Sequence, residues 1–276
     1  MKGTKEALSI KELRSVYDML SLKGKVALIT GAAGGIGRST AAAMAELGAK
    51  VSLMDMKQHE GRLKGFVADI KERYSADAMY VTGDVTVPES VNAFVDETVR
   101  AYGTIDILHN NAGIGLSPDS IEMGFEQWNK VVAVNLTGAM LTAQAVTRVM
   151  KAHGHGGSIV TTSSMSGLVI NTGMGYAATK AGVRHLTNAM AIELAPFGIR
   201  CNSVCYGFII SGMHENFIST DPAKLNEVYD SFAQRTPMGF AGDLSDAVGC
   251  VVFLASDLSR FATGSTVVVD GGYTTQ

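Results

Sequence analysis

The sequence predicts an α/β fold: a single doubly wound parallel sheet with helices on both faces. Three observations predict it. From Lys25 onward, short runs rich in Val, Ile, Leu or Thr alternate with longer helical patterns. No linker, internal repeat or low-complexity tract interrupts the alternation. A glycine-rich turn, Gly31 to Gly37, joins the first strand pattern to the first long helical one. The chain's 276 residues suit one sheet of this kind, and 46% hydrophobic against 18% charged residues describe a large core, not a solvated tail.

Residues 1–22 read as an extension ahead of one domain spanning 23–276. In the extension Ile10, Leu13, Val16, Tyr17 and Leu20 recur at three- and four-residue steps. That spacing predicts a short amphipathic helix, packed on its own domain or on a neighbouring subunit. Strands are expected at Val26–Thr30, Val51–Asp55, Ala78–Thr82, Ile105–Asn110, Ser158–Ser163, Arg200–Val204 and Thr266–Asp270. Between them, helices are expected at Ile36–Leu47, Gly61–Tyr74, Glu89–Tyr102, Phe125–Ala152, Gly175–Pro196 and Ser245–Ala255. Parallel strands need such crossovers. The segment 207–242 is too long for a plain connection and reads as a lobe or lid over a binding site.

Composition removes several classes of partner. Lys plus Arg is 23 and Asp plus Glu is 26, so 23 − 26 = −3, and no basic block is long enough to follow a phosphate backbone. Nucleic acid is not expected. The longest apolar run, Ala247–Ala255, falls far short of the roughly 18 residues of a membrane-spanning helix, so no membrane role is expected. The first twenty residues mix charges throughout and carry no secretory pattern. Cys201, Cys205 and Cys250 form no ligand spacing and read as reduced thiols of a cytoplasmic protein. His153 and His155 have no acidic or thiol ligand beside them, so no metal site is expected.

The chemistry begins at the glycine turn, Thr30-Gly31-Ala32-Ala33-Gly34-Gly35-Ile36-Gly37. A turn of this composition lets backbone N–H groups and the positive end of a helix approach a pyrophosphate. Gly31, Gly35 and Gly37 would serve the tight turn, the close approach and the helix–strand contact, with Ile36 between them. Asp55, about 20 residues on at the end of the second strand, suits an adenine ribose and repels a 2′-phosphate, which favours NAD over NADP. Asp84-Val85 and Asn111-Ala112-Gly113 follow further strands, where open α/β sheets bind ligands. Tyr176 and Lys180, four apart in a helical pattern, project from one face. A neighbouring ammonium and a cationic nicotinamide would favour the phenolate and bring the tyrosine into acid–base range. Ser164 and Asn135 would add a hydroxyl for a substrate oxygen and an amide for a proton-relaying water.

In order and spacing, TGAAGGIG, NNAG, VNL around Asn135, SSMSG and YAATK resemble the signatures of the short-chain dehydrogenase/reductase family, from about Leu22 to Gly272. The resemblance implies a Rossmann-type sheet and a catalytic tetrad of Asn135, Ser164, Tyr176 and Lys180. Tyr176 would move the proton, Ser164 would bind the carbonyl or alcohol oxygen, and Lys180 would grip the nicotinamide ribose and lower the Tyr176 pKa. Asn135 would anchor a water, and Ile209 and Ser211 would meet the carboxamide. Ser164 is preferred to Ser163 because the family's serine precedes x-x-Gly, although its spacing to Tyr176 is 12 where 13 is usual. Tyr206 stands where the family has proline, and is expected to stack near the nicotinamide or widen the pocket. Likeness within the family suggests an NAD-dependent dehydrogenase of a secondary alcohol on a polyol or sugar. The alternatives are a 3-oxoacyl-thioester or steroid/diol reductase, or a catalytically silent nucleotide-binding regulator. A homotetramer or dimer is implied.

Overall fold

The β-branched runs form seven strands: β1 (Val26–Thr30), β2 (Lys50–Asp55), β3 (Ala78–Thr82), β4 (Ile107–Asn110), β5 (Gly157–Ser164), β6 (Ile199–Tyr206) and β7 (Thr266–Val269). They pair in parallel in the order β3-β2-β1-β4-β5-β6-β7. The computed structural model describes residues 10–116, 120–212 and 221–276. The crossovers are α2 (Gly35–Glu46), α3 (Glu60–Tyr74), α4 (Pro88–Tyr102), α5 (Phe125–Val132), α6 (Gly138–His153), α7 (Met174–Leu194) and α9 (Leu244–Ala255). Two further α-helices lie among the described residues: the short α1 (Val16–Leu20) near the start and α8 (Pro222–Gln234) in the lobe.

Strand alternation sorts the core into two layers. On β1, Ala27 and Ile29 join Met44, Leu53, Leu63, Val251 and Leu254 on one face of the sheet. Leu28, between them, joins Phe94, Leu108, Val146 and Ile159 on the other. All five residues of β1 are buried, as a central strand covered on both faces requires. Among the described residues no helix is long and apolar enough to cross a membrane.

Three expectations need correction. The helix expected over Phe125–Ala152 is interrupted: α5 and α6 are joined by a π-helical turn at Ala133–Thr137, where the Gly138 N–H reaches back to the Ala133 carbonyl. Such turns occur as single interruptions within α-helices and have no residue signature of their own, so the sequence gives little sign of it. The N-terminal helix is only α1, preceded by a single 3₁₀ turn at Ile10–Glu12. Ile10, Leu13, Val16 and Tyr17 are exposed rather than packed on the domain. An Arg14–Asp257 ion pair of 2.7 Å is a tether on this stretch.

Tyr206 neither stacks in the pocket nor widens it. It is 3% exposed within the core layer of α2 and α9, and its hydroxyl donates to the Ala247 carbonyl at 2.8 Å. Replacing Tyr206 by Phe removes one buried donor and should cost about 1 kcal/mol, a fall of roughly 2–4 °C in Tm for a domain this size. Thermal unfolding and turnover of the variant measured together should show that loss with kcat unchanged. A changed kcat at unchanged Tm would return Tyr206 to the pocket.

Candidate active site

The site lies along the C-terminal edge of the sheet, where strand order reverses between β1 and β4. Gly31 takes φ +65°, and a Cβ there would stand 2.9 Å from the Ala112 Cα, so the tight turn requires glycine. A Cβ on Gly37 would collide with the Gly31 carbonyl oxygen and crowd Ala32. Gly35 departs from expectation. Its Cβ would meet the Ser211 carbonyl oxygen at 2.5 Å and Leu244 at 2.9 Å, so the close approach it permits is to the chain itself. Ile36 is half-buried behind it, packed on the core.

Asp55 closes the far side of the turn. Its Oδ2 accepts from the Ala33 N–H at 2.9 Å, and its Oδ1 accepts from the Met56 N–H and lies 2.8 Å from His59 Nδ1. The nearby cations are engaged elsewhere: Lys57 pairs with Glu60 at 2.7 Å, and the Arg38 guanidinium sits 5.2 Å over the Phe66 ring. After β3, Asp84 Oδ1 caps a turn by accepting from the Thr86 N–H and hydroxyl. Val85 is buried so tightly against Gly138 that a Cβ on that glycine would lie 2.7 Å from it. After β4, the N–H groups of Asn111 and Ala112 both donate to Thr30 Oγ1 at 3.0 Å.

Asn135 lies in the π turn and is 2% exposed. Its Oδ1 accepts from the Ile114 N–H at 2.8 Å, and its Nδ2 donates to the Ile114 carbonyl at 2.9 Å and to Thr179 Oγ1 at 3.2 Å. The amide expected to hold a water is therefore occupied in bracing the chain after Gly113. A Cβ on Gly113 would lie 3.3 Å from Lys180 Nζ and 3.4 Å from Asn135 Oδ1, so glycine keeps these two side chains close.

The two serines separate by role. Ser163 Oγ donates to the Lys180 carbonyl at 2.8 Å and fastens α7 to β5. Ser164, the next residue, donates its hydroxyl to Ser166 Oγ at 3.2 Å and accepts from the Ser166 N–H, and it lies close enough to Tyr176 to favour the phenolate. The structure thus brings Ser164, Tyr176 and Lys180 together despite the shortened spacing. Lys180 Nζ stands 5.5 Å from the Tyr176 ring centroid and donates to the Thr162 carbonyl at 3.0 Å. Burial pushes the Tyr176 hydroxyl up to about 12, against the pull of Ser164, and pushes the Lys180 ammonium down to about 8. The chain by itself does not lower the tyrosine.

Ile209 and Ser211 sit on the strap that follows β6. The Ile209 side chain is 5% exposed and core-packed, and Ile209 bridges to Gly242, so only its main chain is available to a ligand. That bridge ties together the two ends of the lobe. Its inner helix, α8, docks through a Phe208–Phe232 stack with centroids 3.9 Å apart. Residues 213–220 of the expected lid lie outside the described residues. Sequence reasoning also missed His59, Thr162 and Asn171. Both amide atoms of Asn171, in the connection from Ser164 to Tyr176, are buried without a protein partner among the described residues.

The donor set fits a nicotinamide dinucleotide: a turn of glycines and alanines at a helix N-terminus, a carboxylate at the end of β2, and a Ser–Tyr–Lys group across the crevice. The comparisons agree. The family profile described as enoyl-(acyl carrier protein) reductase matches residues 31–274. A sorbose reductase of Candida albicans is 36% identical over 94% of this chain and 90% of its own length. A 3-alpha-(or 20-beta)-hydroxysteroid dehydrogenase of Mycobacterium tuberculosis is 40% identical over 91% and 90%. A gluconate 5-dehydrogenase from Burkholderia cenocepacia, solved in complex with NADP and tartrate, superposes with a TM-score of 0.86 at 34% identity, covering 95% of this chain and all of its own. The fold and site define a nicotinamide-dependent oxidoreductase acting on CH–OH groups. The chain belongs to the short-chain dehydrogenase/reductase family.

The depressed Lys180 pKa gives a test of the apo site. Because the folded value of about 8 lies below the ordinary 10.5, the unfolded chain binds more protons between them, and stability rises with pH across that window. Buried thiols and phenols with raised pKa values lose stability over the same window in any variant, so the test is the difference: denaturant unfolding at pH 8 and pH 10 should show the wild type gaining stability relative to a Lys180→Met variant. An identical change in both would mean that the ammonium is not buried.

Proposed function

We propose that this chain transfers hydride between NAD(H) and a secondary alcohol or ketone on a small polyhydroxylated molecule, a sugar or polyol. The observation that carries the reading is Tyr176 on one helix face with Lys180, whose Nζ is 5.5 Å from the ring centroid, with Ser164 near enough to favour the phenolate. Tyr176 donates the proton to the carbonyl oxygen in reduction and takes it from the hydroxyl in oxidation. Ser164 holds that same oxygen beside Tyr176. Lys180, anchored on the Thr162 carbonyl, binds the ribose of the nicotinamide half and favours the phenolate. Asn135 keeps the chain after Gly113 in register with Lys180. When bound, the nicotinamide supplies the hydride acceptor or donor and, oxidised, a positive charge near the phenol.

Asp55 supports NAD over NADP: a carboxylate at the end of β2 would repel a 2′-phosphate, while Lys57 and Arg38 are held by other partners. Gly31, Gly35, Ile36 and Gly37 border the pyrophosphate path, with Asp84, Val85, Asn111, Ala112 and Gly113 beside it. The main chain of Ile209 and Ser211 serves the carboxamide. A sugar or polyol is supported by the sorbose and gluconate relatives. The hydroxysteroid relative supports a second reading, a steroid alcohol. Three free cysteines accord with a cytoplasmic location. Ile192 on α7 and Phe261, both strongly exposed, would be covered in a homotetramer.

Incubation with NAD⁺ and a panel of polyols, sugars, diols and steroid alcohols, followed at the reduced-nicotinamide absorbance, tests the assignment. Turnover confined to steroids would transfer it to the second reading. No turnover despite tight NADH binding would leave a silent binding protein. Tyr176→Phe should lower kcat at least a hundredfold while the NADH dissociation constant changes little, since general acid–base transfer contributes about 10²–10⁴-fold. Retained activity would remove Tyr176 from its role. Asp55→Ala should shift the NADP⁺/NAD⁺ ratio of kcat/KM toward NADP⁺ by about tenfold or more, and an unchanged ratio would sink the ribose assignment.

A further inference from the structure

One buried titratable side chain takes no part in the proposed chemistry. His109 on β4 is fully buried, with Nδ1 2.9 Å from Thr40 Oγ1 of α2 and Nε2 3.1 Å from Thr162 Oγ1 of β5. Burial holds the ring neutral, its pKa pushed down to about 3. One nitrogen therefore carries a hydrogen and the other a lone pair.

The surrounding bonds fix which is which. Asn111 Nδ2 lies 3.1 Å from the Thr30 carbonyl oxygen and 3.3 Å from that of Gly31. Both can only accept, so this atom is the amide nitrogen, and Oδ1 faces Thr162 Oγ1 at 3.1 Å. Oδ1 in turn can only accept, which commits the single Thr162 hydrogen to Asn111. Thr162 Oγ1 must then accept from His109, and Nε2 carries the hydrogen. Nδ1 is left as an acceptor for the Thr40 hydroxyl, which otherwise has the Ile36 and Gly37 carbonyls within 3.0 Å. Every side-chain atom on the path from Thr40 through His109, Thr162 and Asn111 to Thr30 and Gly31 is then satisfied.

The path lies where the sheet needs it. Pairing of β4 with β5 ends at Asn110 and Thr161, so Thr162 has no ladder partner on β4. Its carbonyl is the one that receives Lys180 Nζ. We propose that His109, fixed as the Nε2–H tautomer, is a positioning residue that locks Thr162 and Asn111, and through them joins the glycine turn to the anchor of Lys180. The proposal rests on the reading of Lys180 as the group that binds the nicotinamide ribose.

The tautomer is tested first, on full-length protein labelled with ring-¹⁵N histidine. Long-range ¹H–¹⁵N correlations should show one ring, absent from a His109→Gln variant, with its hydrogen on Nε2 and no protonation between pH 8 and pH 5. A hydrogen on Nδ1 would overturn the chain of bonds. The positioning role is tested in His109→Phe, which keeps ring volume without a donor, and in His109→Gln, whose terminal amide replaces the Nε2–H. With the lysine side chains ¹⁵N-labelled, Lys180 in cofactor-free Phe variant should titrate below the wild-type value, because an ammonium that loses an acceptor is less favoured. The Gln variant should match wild type. The NADH dissociation constant should rise about tenfold in the Phe variant and stay within about twofold in the Gln variant.

Losses in both variants that merely follow their fall in Tm, or an unmoved Lys180 in the Phe variant, would reduce His109 to packing. If the Phe variant does not fold, Thr162→Val removes the same hydroxyl while keeping the carbonyl, and should lower the Lys180 titration alike. Should the wild type bind no NADH while the tautomer and lysine results hold, the failure belongs to the proposed function and not to the network.

Discussion

The site depends on how the two central strands part. β1 and β4 are neighbours in the sheet, yet the chain leaves them toward opposite faces, which opens the crevice at their C-terminal ends. Strand ends that diverge lose ladder bonds, and their N–H groups need other acceptors. Thr30 meets the need with one hydroxyl oxygen that accepts from two successive N–H groups, those of Asn111 and Ala112. The Asn111 side chain returns bonds to the carbonyls of Thr30 and Gly31. This stitch sets the distance between the glycine turn and the segment carrying Gly113. Gly113 in turn sits against Lys180 and Asn135. A single threonine–asparagine exchange thus holds both halves of the site in one frame.

That frame is rigid where charge is managed. Lys180 is buried and Tyr176 partly so, and desolvation disfavours the charged form of each, raising the phenol and lowering the ammonium. The nearby Ser164 works against burial at Tyr176 without overcoming it. A phenol desolvated in this way stays protonated, even with the Lys180 ammonium near it, unless further positive charge arrives. The same burial makes the anchors matter: an ammonium in low dielectric needs an acceptor, and the Thr162 carbonyl provides one.

What the sequence made legible was local. The strands end within one or two residues of the expected positions because period-2 burial and β-branching are properties of the strand itself. The Tyr176–Lys180 pair was legible because a four-residue step fixes a shared helix face. Features that arise between elements were not legible in this way. The π turn at Asn135 answers to Ile114, twenty-one residues earlier, and Gly35 answers to the Ser211 carbonyl on a distant strap. His109 reads as an apolar-strand interruption until Thr40 and Thr162 are placed on either side of it. The exposed apolar residues of the N-terminal stretch follow a true amphipathic spacing, but spacing cannot say what covers them.

The end of β6 shows the same limit most sharply. Tyr206 lies one residue before Gly207 and replaces the proline of the family pattern, so nearness to the motif suggested a pocket role. Core packing overrules nearness. Successive side chains leave a sheet on opposite faces, and β6 pairs with β5 residue by residue through Ser163↔Cys205 and Ser164↔Tyr206. Cys205 takes the face of Ser163 and Lys180, while Tyr206 takes that of α9 and bonds to Ala247. The loss of proline is absorbed in the core, because Gly207 closes on Asp270 of the next segment and its N–H donates to Val269. The strap therefore leaves β6 along a path set by backbone bonds. Packing in the core layer of α9 and the bond to Ala247, more than distance from a motif, keep the Tyr206 side chain out of the cofactor crevice.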